Sequence, residues 1–242
     1  MNAVEIKNLT KAFKKRVAVD ALNLSVEKGE IVALLGQNGA GKTTTVKMLS
    51  CLSHPTSGDA FIMGHSIVTD EKSVKKIINV SPQETAVAPK LSVRENLELT
   101  ARIYGADEKT AKEKTGKLLA DFSLTDRADD KSKKLSGGIQ RKLSIAMALI
   151  SDPEVIFLDE PTVGLDVRAR RELWKQVKSL KGEKTVILTT HYLEEAQALA
   201  DRIAIMNNGV LAAFGTVDEI KMRAGVDDFE EAFLLLTGEG DV

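Results

Sequence analysis

A glycine-rich segment between a strand-like run and a helix-like run limits the possible folds of this chain more than any other feature. The segment GQNGAGKT, residues 36–43, follows the apolar run IVALL and precedes TTVKML. Glycines let the backbone approach a ligand closely and turn successive N–H groups toward an anion, and the following helix adds the positive end of its dipole. The segment therefore predicts a strand, a phosphate-binding loop and a helix.

The spacing of this segment matches the pattern G-x-x-x-x-G-K-[ST] at Gly36, Gly41, Lys42 and Thr43. In that pattern the lysine reaches the β- and γ-phosphates of a nucleotide, and the hydroxyl can bind Mg²⁺. The alternative is a glycine turn before an ordinary helix. Because strand, loop and helix all read as the pattern requires, we predict phosphate binding.

A second acidic motif narrows the choice among kinases, GTPases and ATPases. The run EVIFLDEP carries Asp159 and Glu160 to the end of an apolar strand. Asp159 is expected to hold Mg²⁺ directly or through water, and Glu160 to polarise a water aimed at the γ-phosphate. An ordinary acidic turn is the alternative, but two adjacent carboxylates repel unless a cation lies between them. The chain has no N-K-x-D motif, which argues against a GTPase.

The order of strand-like and helix-like runs predicts an α/β fold. The runs EIVALLG, EVIFLDEP and KTVILTTH indicate buried strands of a mainly parallel sheet, each with polar residues at its carboxyl end. VEIKNL and ALNLSVE alternate apolar with polar residues and predict an N-terminal antiparallel β subdomain. Residues from about 92 to 151 show helical patterns, which we interpret as an inserted α-helical subdomain.

Composition limits the classes of partner. The chain has 242 residues and a net charge of −1, so no global basic field predicts binding to nucleic acid. The N-terminus lacks the apolar region of a signal peptide, and the longest apolar runs are far too short to span a bilayer. We therefore expect no direct insertion into lipid. Cys51, the only cysteine, lies in an apolar helical pattern and is expected to be an unreactive residue.

With the run LSGGIQ at residues 135–140, shortly before FLDEP, and a histidine after VILTT, the chain resembles the nucleotide-binding subunit of ATP-binding cassette (ABC) transporters over nearly its whole length. The resemblance implies a phosphate-loop NTPase core. The expected parts are a core of residues 1–83 and 152–217, a helical subdomain of residues 84–151, and a C-terminal helix with an acidic tail in residues 218–242.

The resemblance also implies roles for individual residues. Phe13 is expected to stack on adenine, in place of the commoner tyrosine. Gln83 is expected to link Mg²⁺ and the attacking water to a membrane partner, and His191 is similar to the family's switch histidine. The implied nucleotide-binding residues are Phe13, Gly36, Gln37, Asn38, Gly39, Ala40, Gly41, Lys42, Thr43, Thr44, Ser136, Gly137, Gly138 and Asp166. The implied metal-binding residues are Thr43, Gln83 and Asp159, and the implied catalytic residues are Glu160, His191 and Gln83.

The signature run LSGGIQ has a physical meaning of its own. Ser136, Gly137 and Gly138 open an apolar helix, so their amides and hydroxyl offer a second anion site at a helix N-terminus. Two molecules arranged head to tail could each lend Ser136 to the ATP bound by the other. The sequence departs from the family pattern at Ile139, where glutamine is common, and has Gln140 next.

These features predict an ATPase with ATP and Mg²⁺ as cofactors, which powers transport, and export in particular, through a separate membrane permease. A second ABC subunit, identical or different, would complete the dimer, and the subunit would lie on the cytoplasmic face of the cell membrane. The alternative is a soluble ABC-type ATPase in translation or DNA maintenance, but such relatives usually carry two cassettes or a long coiled coil. A small-molecule kinase would have no use for LSGG or for GLD at residues 164–166.

Overall fold

The described residues of the computed structural model, 1–14 and 16–238, form ten β-strands and nine α-helices. The strands are β1 Asn2–Phe13, β2 Arg16–Glu27, β3 Ile31–Leu35, β4 Ser57–Ile62, β5 His65–Ser66, β6 Ile78–Ser81, β7 Val155–Asp159, β8 Thr185–Thr190, β9 Arg202–Asn207 and β10 Val210–Gly215. The helices are α1 Lys42–Leu49, α2 Glu71–Ile77, α3 Val93–Ile103, α4 Glu108–Asp121, α5 Gly137–Leu149, α6 Val167–Lys178, α7 Leu193–Leu199, α8 Val217–Ala224 and α9 Phe229–Thr237.

A six-stranded sheet in the order β10-β9-β3-β8-β7-β6 forms the centre of the fold. Its strands run parallel except β10, which pairs antiparallel with β9. Every residue of β3, β7 and β8 is buried. Such continuous burial is typical of parallel strands that are covered on both faces, so the three strands predicted from apolar runs are confirmed.

Two hydrophobic cores cover the two faces of this sheet. Alternate residues of β3 belong to different cores, because successive side chains of a strand point to opposite faces. Ile31 and Ala33 lie in the core that contains α3 and α5. Val32 and Leu34 lie in the core that contains α1 and the N-terminal strands. The phosphate-loop helix and the signature helix therefore lie on opposite sides of one sheet.

A four-stranded antiparallel sheet, in the order β2-β1-β4-β5, lies over the second core. Val4 of β1 pairs with Val26 of β2 and Ile62 of β4. Buried and exposed positions alternate along much of β2, as the sequence pattern predicts for strands with one solvated face. The predicted N-terminal antiparallel subdomain is confirmed.

The middle of the chain forms α3, α4 and α5, each with a side-chain N-cap. Ser92 and Glu95 form a reciprocal capping box at α3, Asp107 caps α4 and Ser136 caps α5. The charged run of α4 faces solvent in part and carries a surface Lys112–Glu108 ion pair. The mixed α/β class with an inserted helical region agrees with the sequence prediction, while the division into three ranges stays an interpretation.

The sequence analysis did not identify the strands β4, β5, β6, β9 and β10, and it placed Cys51 in a helix. The β9–β10 hairpin turns at Asn208 and Gly209, whose φ angles of 49° and 84° suit a two-residue turn with left-handed backbone. The Asn-Gly pair was the available signal. Cys51 lies beyond the end of α1 rather than within it, and burial raises the pKa of its thiol to about 11. The acidic tail predicted after α9 lies outside the described residues.

No helix within residues 1–14 and 16–238 has both the length and the apolar character needed to cross a membrane.

Gly58 offers a test of the packing between β1 and β4. Its φ is +77°, and a Cβ there would lie 2.1 Å from the Asn8 carbonyl oxygen. We expect Gly58→Ala to lower the free energy of unfolding, measured by urea denaturation, by more than about 1 kcal/mol, because backbone strain adds to a steric overlap. Gly64→Ala is the matched control, since Gly64 has φ +86° but open space around it. Equal losses in the two variants would contradict this account of the packing.

Candidate nucleotide-binding site

Three neighbouring strands end at the same edge of the central sheet. Leu35 of β3 pairs with Thr190 of β8, and Asp159 of β7 pairs with Thr189 of β8. In parallel sheets, ligands bind outside the carboxyl ends of the strands. The residues that follow these strand ends, and so meet at one edge, are Gly36, Glu160 and His191.

The glycine loop between β3 and α1 curls around the Lys42 ammonium. Lys42 Nζ donates to the carbonyl oxygens of Gly36, at 2.6 Å, and Gln37, at 3.0 Å. Gly41 caps α1 with φ 103°, a conformation that glycine adopts at little cost. Burial lowers the pKa of Lys42, and the negative charges of Glu160 and Asp159 oppose that effect. The loop thus holds a cation at the N-terminus of a helix.

Asp159 is held by two threonine hydroxyls. Its Oδ1 accepts from Thr43 Oγ1 at 3.0 Å and from Thr189 Oγ1 at 2.5 Å. Thr43 is the first-turn hydroxyl of α1, so the contact joins the phosphate loop to the end of β7. A hydroxyl and a carboxylate so close together are oxygen ligands of the kind that Mg²⁺ prefers.

Glu160 contacts both of the other residues predicted to act in catalysis. Gln83 Nε2 donates to Glu160 Oε2 at 3.2 Å, and His191 Nδ1 lies 3.4 Å from Glu160 Oε1. The backbone N–H of Glu160 donates to Thr189 Oγ1 at 2.9 Å. The φ of Glu160 is +45°, which is uncommon for a residue with a side chain. The carboxylate therefore lies between an amide and an imidazole at the end of β7.

Most of these groups line one cavity of about 670 Å³, but the predicted metal ligand Asp159 is buried and does not form part of its wall. Phe13 is 53% exposed at the end of β1, and the Lys11 ammonium lies 5.1 Å from the centroid of its ring. The predicted site residues along the wall are Phe13, Asn38, Gly39, Gly41, Lys42, Thr43, Thr44, Gln83, Glu160 and His191. Within the same loop, Gly36 and Ala40 are buried beneath this surface, and the Gln37 carbonyl bonds Lys42. The cavity combines an aromatic ring, a phosphate loop and a carboxylate.

The predicted nucleotide-binding residues of the signature run and of the GLD segment do not line this cavity. Ser136, Gly137, Gly138 and Asp166 are absent from its wall. Ser136 Oγ accepts from the Ile139 N–H and caps α5, and Asp166 Oδ1 accepts from the Ala169 N–H and caps α6. Both caps are exposed. Their predicted contact with nucleotide therefore requires a nucleotide held by another molecule.

Several residues of the site were missed by the sequence analysis. Arg16 lines the cavity, and its Nη2 donates to the Gly39 carbonyl at 3.0 Å. Val163 and Tyr192 also form part of the wall. Arg141, in α5, is buried behind Glu160. For Tyr192 the available signal was its place directly after the motif histidine, whereas no local pattern marks Arg16 or Arg141.

Comparisons with known proteins agree with this geometry. The family model described as "ABC transporter" matches residues 19–163. The "Daunorubicin resistance ATP-binding protein DrrA3" of Streptomyces coeruleorubidus is 42% identical over 226 residues, which cover 93% of this chain and 72% of that protein.

Two solved structures extend the likeness to the fold. An ATP-binding subunit of an ABC transporter superposes with a TM-score of 0.86 at 29% identity, covering 97% of this chain and 99% of that one. An ATP-binding cassette in a dimeric post-hydrolysis state with bound ADP and Pi gives a TM-score of 0.79 at 30% identity, covering 88% and 98%.

Thr189 tests whether the threonine contacts orient the acidic pair. Thr189→Val leaves the buried Glu160 N–H without its acceptor, which costs about 1–3 kcal/mol, and frees Asp159. Thr185→Val is the matched control in the same strand, because Thr185 Oγ1 accepts from the buried Gly29 N–H at the opposite edge of the sheet. We expect similar losses of unfolding free energy.

Only Thr189→Val should slow ATP hydrolysis, by about 10–100-fold, as is typical when a partner of a metal-binding carboxylate is removed. A phosphate-release assay at saturating ATP and Mg²⁺ measures this difference. Equal rates in the two variants would show that Thr189 serves only the stability of the strand.

Proposed function

The chain belongs to the ABC transporter family as an ATP-binding and ATP-hydrolysing subunit that powers transport through a separate membrane permease, and we propose that this transport is export. The similar protein of Streptomyces coeruleorubidus is named for resistance to daunorubicin. Resistance to a drug is a natural consequence of pumping it out of a cell, which supports the direction. The alternative, a soluble ATPase of translation or DNA maintenance, is not favoured by these relatives.

ATP binding and hydrolysis are supported above all by the convergence of Lys42, Thr43 and Glu160 on one cavity. In this proposal Phe13 stacks on adenine, and the loop of residues 36–44 wraps the phosphates with its N–H groups. The Lys42 ammonium leaves the carbonyls of Gly36 and Gln37 to neutralise β- and γ-phosphate charge. The bonds of Lys42 to those two carbonyls place its ammonium within the loop that would hold the phosphates.

We propose that Thr43, Asp159 and Gln83 hold Mg²⁺. Thr43 Oγ1 and Asp159 Oδ1 lie 3.0 Å apart, and the Gln83 side chain contacts the neighbouring Glu160. A bound Mg²⁺ would neutralise charge on the phosphate oxygens. Oxygen donors suit this ion, so the residues fit the group.

Glu160 is the proposed general base for the attacking water. Its carboxylate borders the cavity beside the phosphate loop, with Gln83 and His191 at its two oxygens. In this role Glu160 accepts a proton from water, and His191 and Gln83 hold the carboxylate and the water in line. His191 is thereby a sensor of whether the site is complete.

Ser136, Gly137, Gly138 and Asp166 are proposed to act on the ATP of a second subunit. Their absence from the wall of their own cavity and the exposure of both helix caps support this arrangement. The dimeric state of the similar cassette supports it further. The permease would attach the dimer to the cytoplasmic face of the cell membrane, at the exposed surface around Gln83.

Lys42→Ala tests the phosphate site. We expect loss of hydrolysis by at least about 10²-fold and weaker ATP binding, because the only lysine of the loop is removed. ATPase assays and equilibrium binding of a fluorescent ATP analogue measure the two effects. Lys47→Ala, an exposed lysine of the same helix, is the control and should behave as the wild type. Turnover of the Lys42 variant near that of the wild type would reject the assignment.

Glu160→Gln tests the base and the dimer together. The amide keeps the size of the carboxylate but accepts no proton, so we expect hydrolysis to fall by about 10²–10⁴-fold while ATP still binds. Two unhydrolysed ATP molecules would then hold two subunits together. Gel filtration in ATP and Mg²⁺ should show a dimer, whereas the wild type should run mainly as a monomer.

Ser136→Arg added to Glu160→Gln should abolish this dimer, because each Ser136 faces the partner's nucleotide. ATP binding by the monomer should survive. A Glu160→Gln protein that stays monomeric, or that hydrolyses ATP at the wild-type rate, would reject the interface or the base respectively.

A further inference from the structure

Arg141 uses its whole guanidinium group to hold two segments of backbone. It lies in the second turn of α5 and is 4% exposed. Arginine has five N–H donors in a fixed planar geometry. Nε donates to Pro161 O at 2.8 Å and Nη2 donates to Asp159 O and Glu160 O, both at 2.7 Å. Nη1 donates to Pro82 O at 2.5 Å and to Gln83 O at 3.1 Å. The five donors meet five carbonyl oxygens.

This arrangement differs from a buried ion pair. None of the hydrogen bonds that Arg141 makes within the described ranges goes to a carboxylate. Burial lowers the pKa of the guanidinium, and the charges of Asp159, Glu195 and Glu160 oppose that effect. Burying a cation is costly unless its polar atoms are satisfied, and carbonyl dipoles satisfy them here. An apolar side chain would fill the space without that cost, so the contacts themselves need explaining.

Three of the carbonyls that Arg141 binds belong to Glu160, the proposed base, and to the residues before and after it. Arg141 binds the carbonyls of Asp159, Glu160 and Pro161, and so fixes successive peptide planes around Glu160. The φ of +45° at Glu160 costs of order 1–3 kcal/mol and persists only where surrounding contacts enforce it. The same guanidinium binds the carbonyl of Gln83, whose amide meets the Glu160 carboxylate.

We propose that Arg141 is a positioning residue for ATP hydrolysis, which sets the backbones of Glu160 and Gln83 relative to each other. Arg141 does not line the cavity, so it would act through these two residues. The proposal rests on the proposed role of Glu160 as general base. Arg141 belongs to α5, the helix that Ser136 caps. Its contacts therefore connect that helix to the backbones of Glu160 and Gln83, a connection that none of the site motifs contains.

Arg141→Lys is the most direct test. Lysine keeps the charge but offers three donors from one nitrogen, so it cannot satisfy five carbonyls in this geometry. A misplacement of about 1 Å in a catalytic site can cost about 10²-fold in rate. We therefore expect kcat to fall by at least about tenfold, while the Kd for ATP, which depends on the phosphate loop, stays within about threefold of wild type.

Arg202→Lys is the matched control. Arg202 is also multiply bonded, to both oxygens of Glu30 and to Ser25 O, but it lies at the start of β9, on the opposite edge of the sheet. We expect this variant to lose thermal stability and to keep kcat within about twofold of wild type, since no catalytic group depends on it. Equal losses of kcat in the two lysine variants would overturn the proposal.

Coupling to Glu160 separates positioning from general damage. If Arg141 acts through Glu160, then Arg141→Lys should lose most of its effect in a Glu160→Gln background, measured by single-turnover hydrolysis. Multiplicative losses would overturn the proposal, as would an Arg141→Lys protein that fails to bind ATP, which would make Arg141 a requirement of the fold. If Glu160→Gln itself hydrolyses ATP at the wild-type rate, the proposed base is wrong. If Glu160→Gln loses hydrolysis but Arg141→Lys hydrolyses ATP at the wild-type rate, only the positioning role of Arg141 is wrong.

Discussion

The parallel pairing of β8 with β3 and β7 is the constraint on which the rest of the structure depends. The register aligns Leu35 with Thr190 and Asp159 with Thr189. Side chains separated by more than a hundred residues in sequence therefore end within hydrogen-bond distance, as Thr43 and Asp159 do. A shift of one residue in either pairing would turn these side chains to the other face of the sheet. The buried apolar strands that specify register thus also specify the site.

The site concentrates charge and strain that a structural element would avoid. Lys42, Asp159, Glu160 and Arg141 are all less than 10% exposed. Lys42 and Arg141 donate to backbone carbonyls, Asp159 accepts from threonine hydroxyls, and Glu160 accepts from the Gln83 amide. Polar groups that are buried and preorganised in this way are screened less by solvent than groups on the surface.

The two faces of the central sheet support different parts of the site. The core beneath α1 supports the phosphate loop, and the core beneath α5 supports the signature helix. Arg141 extends from α5 to the carboxyl end of β7, where Glu160, the proposed general base, lies. Ser136 and Asp166, the caps of α5 and α6, are exposed and therefore accessible to a second subunit. In the proposed dimer, each subunit would contribute half of each of two nucleotide sites.

The sequence by itself determined five of the ten strands in the described ranges, namely β1, β2, β3, β7 and β8. It also determined the helices that follow the phosphate loop and open at Ser136, the phosphate loop itself and the acidic pair. Each depends on local properties: apolar runs, the glycine spacing of residues 36–43, and helix caps such as Ser92 and Ser136. The β9–β10 turn was equally local but went unrecognised. Only the tertiary structure decided that Arg16 lines the cavity, that Thr189 holds Asp159, and that Arg141 grips the backbone of Glu160. These contacts join segments distant in sequence, and a buried arginine in an apolar helix has no periodic signal that reveals its partners.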